Sequence, residues 1–326
     1  MASLPRIVGG IDPLVRLLAL AIVLASVLPV TAQHRPIAEA VSDGAIFLLF
    51  LLNGLRLPRA EVVKGIRHMR FLLPLALWCF GAMTLGGWAL AGVGRALALP
   101  PTVALGLLFL GALPSTVQSA TAYSSLAGGN VAASVVAAAV LNVLGVFLSA
   151  PLFSALAGSE VGGFDLAALE RIALILLLPF FIGQLAQRKV GHLVRDHKRL
   201  ATWMDRLAIA IAVYVAFSGA VEQGLWQLVG LADWTALLLL VGVFLALGFG
   251  GAWGLGGALR LTRADRIAFL FAGGQKSIAL GAPLAAVLFP PAVAGLLLLP
   301  VLTYHLLQLV LSAPLASRLA APPDRP

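Results

Sequence analysis

The chain holds a single cysteine, Cys79, among 326 residues. That excludes an intrachain disulfide and any metal centre built on several thiolates. Inside its apolar run the thiol reads as a small packing side chain. Charge is also scarce. Charged residues make up 11% of the chain and hydrophobic ones 61%, where a soluble domain carries roughly 25% and 45–50%. A surface so poor in charge cannot face water on all sides; it suits a wall that meets lipid. Carboxylates are the scarcer charges, with 13 Asp and Glu against 22 Lys and Arg. Where they fall within the apolar runs they sit near the ends, and the middles of the runs contain none. No His-Glu-x-x-His motif, no paired aspartates within a run and no Ser/His/Asp set is present. Acid–base and metal chemistry lack their groups, so the chain is expected not to be an enzyme and to use no organic cofactor.

What the chain has in abundance is continuous apolar sequence. A helix crossing the hydrocarbon layer needs about 20 mostly apolar residues. Ten runs qualify, at approximately 14–30, 41–56, 71–94, 102–126, 130–156, 166–187, 204–222, 233–259, 265–289 and 293–317. Helices are expected because a lipid-exposed segment must satisfy its own backbone hydrogen bonds, and these runs lack the short alternation of barrel strands. The first run follows Arg6 and Arg16 and resembles a signal peptide in part. It is read as a retained helix because it completes the pattern below. The net charge of +9 does not point to nucleic acid, since the basic residues sit between runs as topology signals. The expected partners are the lipid bilayer and a small solute; oligomeric state is not legible.

Basic residues fall on one side. Arg6, Arg16, Arg56, Arg59, Lys64, Arg67, Arg70, Arg188, Lys189, Arg195, Lys198, Arg199, Arg206, Arg260, Arg263, Arg266, Arg318 and Arg325 share it, against Arg35, Arg95 and Arg171 on the other. Both termini are therefore expected in the cytoplasm, with the chain in a bacterial inner membrane. His34, His68, His192 and His197 fall between runs and read as solvated, Trp203 and Trp234 as interface anchors, and Asp265 as a cap on the ninth span.

The ten runs divide into two sets of five, residues 1–160 and 161–326. An odd number of spans per half places the halves in opposite orientations, and the basic loops invert accordingly. Ser149-Ala150-Pro151-Leu152 closes the fifth run and Ser312-Ala313-Pro314-Leu315 the tenth; Gly54 and Gly219 occupy corresponding places. Inverted repeats are a common architecture of secondary transporters, with the site where interrupted helices meet at mid-membrane. Runs four and nine are interrupted. The fourth contains Pro114, Ser115, Thr116, Gln118, Ser119 and Thr121; the ninth contains Gly273, Gly274, Gln275, Lys276 and Ser277, then Pro283. Each small or hydroxylated residue also has a plain reading as helix packing. Lys276 tips the balance, because a lysine near the bilayer centre costs about 2.5–3.5 kcal/mol and is a functional candidate by default. His305 and Gln308 share a helical face, where a histidine also reads as a packing residue.

These residues carry a family likeness. Leu113-Pro114-Ser115-Thr116 through Ser119-Ala120, with Ala127-Gly128-Gly129-Asn130-Val131-Ala132, resembles the fourth and fifth helices of the bile acid:sodium symporter family. Phe271-Ala272-Gly273-Gly274-Gln275-Lys276-Ser277, Gly281-Ala282-Pro283, Leu299-Pro300, Tyr304-His305 and Gln308 resemble its ninth and tenth, in the branch with Gln-Lys-Ser. Asn53-Gly54-Leu55-Arg56 fits as well. The resemblance implies an all-α membrane protein of two inverted five-helix repeats with discontinuous helices 4 and 9. It also implies a core domain (spans 3–5 and 8–10) that moves against a panel domain (spans 1, 2, 6 and 7). A sodium site would fall on Ser119, Thr121, Ser134 and Gln275, with Asn130 nearby. The sodium-coupled pattern places glutamate where this chain has Phe271, asparagine where it has Lys276, and threonine where it has Ala138. Charge neutralisation around a hard cation usually comes from carboxylate, so these departures leave both a sodium-coupled carrier with a weak site and a sodium-independent or proton-coupled one open. The Lys276 ammonium is the candidate replacement, either as a built-in positive charge or as the carrier of a coupling proton, and if it faces the cavity it favours an anionic organic solute. The remaining alternatives are a sodium-independent carrier of another solute and a non-transporting membrane regulator with the carrier fold.

Overall fold

The computed structural model describes residues 12–56, 69–158 and 170–320. Arg6, Arg59, Lys64, Arg67, His68, Arg325 and the boundary between the halves near residue 160 lie outside them, as does the side chain of Arg195. The described residues contain no strand. Their principal helices are α1 (Pro13–Val27), α2 (Arg35–Arg56), α3 (Met69–Ala96), α4 (Pro101–Ala112), α5 (Gln118–Leu126) and α6 (Val131–Ala157), followed by α7 (Leu178–Asp196), α8 (Lys198–Glu222), α9 (Leu231–Ala258), α10 (Arg263–Gly274), α11 (Ile278–Leu288) and α12 (Pro291–Leu319). Eight helical segments among them are long and apolar enough to cross a membrane, counting α10 and α11 as one; α1 and α4 are shorter apolar helices. The protein is an all-α, multi-pass membrane protein.

The run at 102–126 is not one helix. It ends as α4 at Ala112, passes through an extended Leu113, and resumes as α5 at Gln118. The run at 265–289 breaks the same way between Gly274 and Ile278. Both interruptions fall at the expected residues. Proline supplies no N–H and the Gly273-Gly274 pair adds little side-chain constraint, so each ladder ends there. Side chains cap α1, α6 and α10. Asp12 accepts from the Leu14 N–H at 2.7 Å, and Asn130 from Ala133 at 3.0 Å. At α10 the cap is Thr262, not Asp265. The Thr262 hydroxyl accepts from the Asp265 N–H at 3.2 Å while donating to the Asp265 carboxylate at 2.8 Å. Asp265 thus holds the third helical position, a reciprocal arrangement of the capping-box kind.

The chain forms two compact units, each drawing on both sequence halves. The first comprises Met1–Arg56, Leu166–Gln227 and Ala282–Leu296. Within it α2 packs closely on α7: a Cβ at Gly54 would collide with the Phe180 carbonyl, and one at Gly183 with the Leu51 carbonyl. Gln184 donates to the Gly54 carbonyl at 2.6 Å across that seam. Ion pairs Arg56–Asp205 and Arg35–Glu222 tie α2 to α8 near its two ends.

The second unit comprises Leu57–Asp165, Leu228–Gly281 and Leu297–Pro326. Its core gathers Leu75, Cys79, Leu141, Ala252, Phe269 and Ala272. Small residues let helices approach where lipid offers no hydrophobic drive: a Cβ at Gly111 would stand 2.6 Å from the Met83 carbonyl, and one at Gly106 2.5 Å from that of Leu297. In α3 the ladder widens into a π-helical stretch at Leu77–Ala82, a feature that commonly marks a functional segment.

Candidate functional site: the crossover of two interrupted helices

The two interruptions are joined inside the second unit. The Ser277 N–H, freed by the break after α10, donates to the Pro114 carbonyl at 2.9 Å, freed by the break after α4. Gln275 bridges the same gap with its side chain. Its Oε1 accepts from the Thr116 hydroxyl at 2.5 Å and lies 2.7 Å from that of Ser119, and its Nε2 donates to Ser312 Oγ at 3.0 Å. Gln275 is fully buried, and each polar end of its amide has a partner, as burial demands.

Lys276 lies at the centre. It is 1% exposed, and its ammonium donates to three main-chain carbonyls: Gly111 at 2.7 Å, Leu113 at 2.7 Å and Cys79 at 3.0 Å. A lysine ammonium has three protons and no acceptor, so the three carbonyls use its whole donor capacity. Two of those carbonyls belong to the C-terminal end of α4, where unpaired C=O groups and the helix dipole favour a cation. The third comes from the π-helical stretch of α3. The Lys276 peptide group is also held. Gln308 Oε1 accepts from its N–H at 2.8 Å and Gln308 Nε2 donates to its carbonyl at 3.0 Å. That same Nε2 lies 2.9 Å from His305 Nδ1. One side-chain amide thereby replaces the hydrogen bonds the broken helix cannot make.

The other sequence candidates are placed as follows. Ser134 Oγ donates to Thr121 Oγ1 at 3.3 Å. Asn130, besides capping α6, donates to Asp265 at 2.8 Å. Ser115 is buried with its carbonyl accepting from Asn142 Nδ2 at 3.1 Å. Gly273 gives its carbonyl to Trp78 Nε1 at 3.2 Å. Gln118 is exposed, and no hydrogen bond joins it to the Gln275–Lys276 network. The residues expected for sodium form two pairs, Ser119–Gln275 and Ser134–Thr121. They offer only neutral oxygens, and Gln275 Oε1 has two hydroxyls already within reach. No group of three or more His, Cys, Asp or Glu side chains gathers to hold a metal among the described residues. Hydroxyl and amide oxygens are ligands that a hard cation can take, but here they form two separate hydrogen-bonded pairs.

Several participants escaped the sequence reading. The cage carbonyls carry no residue-type signal at all. Tyr304, quoted only within a motif, donates to the Gly274 carbonyl at 2.5 Å and is fully buried. Ser312, noted only as part of a repeat echo, completes the Gln275 amide. Asn142, a lone amide in an apolar run, and Trp78 were not singled out; a polar group in a span was the available signal for the former.

With this geometry in place, the relatives of the chain take on meaning. Residues 12–321 match the SBF-like CPA transporter family. The chain is 40% identical to protein PA2026 of Pseudomonas aeruginosa, over 92% of its own length and 90% of the relative's. It is 36% identical to YfeH of Escherichia coli, named as a candidate symporter, over 94% and 92%. It is 23% identical to mouse sodium/bile acid cotransporter 7, over 84% and 81%. A match across nearly the whole chain, together with interrupted helices meeting at the expected residues, leads to one statement: the chain belongs to the SBF-like CPA transporter family.

Proposed function

We propose that this membrane transporter carries a small organic anion by alternating access without sodium coupling, and that the Lys276 ammonium is the resident cation of its crossover. The observation that carries the reading is the three-carbonyl cage around a fully buried amine. Carbonyl oxygens around a compact charge are what a hard cation seeks, and here the charge is covalently attached. Three carbonyl contacts require three protons, so the geometry favours a standing ammonium over a neutral amine that shuttles a proton. The anionic preference draws on two features. Lys276 brings positive charge to the crossover, and the N-termini of α5 and α11 begin there; half-helix N-termini favour anionic groups in carriers built this way. Inner-membrane residence with cytoplasmic termini, and the core-and-panel division implied by the family likeness, belong to the same proposal.

The test is the thermal stability of the purified protein in sodium chloride against choline chloride at matched ionic strength. A ligand that binds only the folded state raises stability with the logarithm of one plus its concentration over its dissociation constant. The expected result is no sodium-specific rise. A concentration-dependent rise with sodium alone overturns the built-in cation and restores a sodium symporter.

A further inference from the structure

The first unit contains a cavity of about 200 Å³ that the crossover does not use. Its polar lining comes from one turn of α2, Glu39, Ser42 and Asp43, and from Arg171; Phe289 and Pro291 form part of an apolar wall. Arg171 donates to Asp43 at 3.1 Å, so that carboxylate is answered. Glu39 has no ion-pair partner among the described residues. The lining therefore keeps one uncompensated negative charge.

Ser42 is the independent sign of a missing ligand. It is 2% exposed, and its hydroxyl has no hydrogen-bond partner. A serine in a helix ordinarily returns its hydroxyl to a carbonyl one turn back, and buried hydroxyls are almost always paired. This one lines the cavity with its hydrogen-bonding capacity unused.

We propose that the cavity binds a compact primary ammonium compound, with the ammonium between the Glu39 carboxylate and the Ser42 hydroxyl and the carbon chain against Phe289 and Pro291. An ammonium has three donors and no acceptor, which complements an ionised carboxylate and an oxygen lone pair. A metal ion is a poor fit, because one free carboxylate and one hydroxyl fall short of the six or more oxygens a hard cation takes. An anion meets the uncompensated carboxylate. The volume suits a small body, since a cavity of about 150 Å³ accommodates benzene. The cavity draws on the ends of α2 and α8 and the approach to α12 that the scarcity of basic residues assigns to the outer side, so a ligand would reach it from there.

The experiment uses the full chain in detergent and follows thermal unfolding as n-butylammonium chloride is titrated, against butan-1-ol and against sodium chloride at equal ionic strength. A logarithmic rise with butylammonium alone is expected. The dissociation constant fitted to it should increase at least tenfold in Glu39→Gln and several-fold in Ser42→Ala. If Glu39→Gln does not fold, Ser42→Ala carries the comparison. The absence of a rise, an equal rise with butanol or sodium chloride, or a fitted constant that the variants leave unchanged overturns the site. The crossover takes no part in this outcome.

Discussion

An ammonium group in a hydrocarbon interior is tolerated only if each proton finds an acceptor, and Lys276 shows what that requires: three carbonyls from two helices and a glutamine to hold its own peptide group. Removing the charge leaves the acceptors behind. Lys276→Met should take a hydrogen bond from each of the Cys79, Gly111 and Leu113 carbonyls, at about 1–3 kcal/mol for any left without a partner; the Gly111 carbonyl keeps the Thr84 hydroxyl at 3.4 Å. The expected outcome is a lower unfolding temperature in detergent and loss of solute flux in liposomes. Flux and stability equal to the parent would mean the cage is incidental. Lys276 was legible in the sequence because charge in an apolar run is conspicuous, and Gln275 and Gln308 were legible because amides there are rare. Their roles were not. Every residue carries a carbonyl, so nothing in the letters Cys79, Gly111 or Leu113 marks them as ligands. Asp265 illustrates the opposite case: its place near a helix start was plain, but only the geometry distinguishes the cap from the third residue.

At the scale of elements, the site depends on how closely α3 and α4 cross. Gly87 and Gly111 face each other across that seam, and the Gly111 carbonyl is itself one of the cage's acceptors. Gly111→Ala places a Cβ 2.6 Å from the Met83 carbonyl, which should push α4 away and cost about 1–3 kcal/mol as overpacking. Gly92, on the same α3, has nothing within 4 Å of an added Cβ. Gly92→Ala should leave the unfolding temperature unchanged or slightly raised, since alanine is the better helix former. Equal effects of the two substitutions would show that the crossing does not set the cage. The interruptions of α4–α5 and α10–α11 could be read from Pro114 and the paired glycines. The π-helical stretch of α3 could not, because nothing in the letters Leu77–Ala82 distinguishes a widened ladder from an α-helical one.

For the molecule as a whole, apolar run lengths were enough to find the spans, and the placement of arginine and lysine gives an orientation that can be measured. Cys79 is fully buried, so the parent protein should not react with a membrane-impermeant maleimide, and no cysteine has to be removed before others are introduced. Leu231→Cys, at a position 85% exposed, should label in intact cells. Arg199→Cys, in the first turn of α8, should label only after lysis. The reverse pattern would invert the topology. The grouping of helices into units was harder to read from the letters, because each unit is assembled from segments far apart in the chain and the boundaries at Gly281 and Leu296 fall inside apolar runs.

If the proposed built-in cation holds, it makes the round trip with the chain. After a full turnover it has moved no net charge down any gradient, so it performs no work for the solute. The steady-state ratio across the bilayer is then set by the membrane potential and the solute's valence. In a cell that is negative inside, a monovalent organic anion would enter only down a concentration gradient steeper than the opposing potential, or in exchange for another anion.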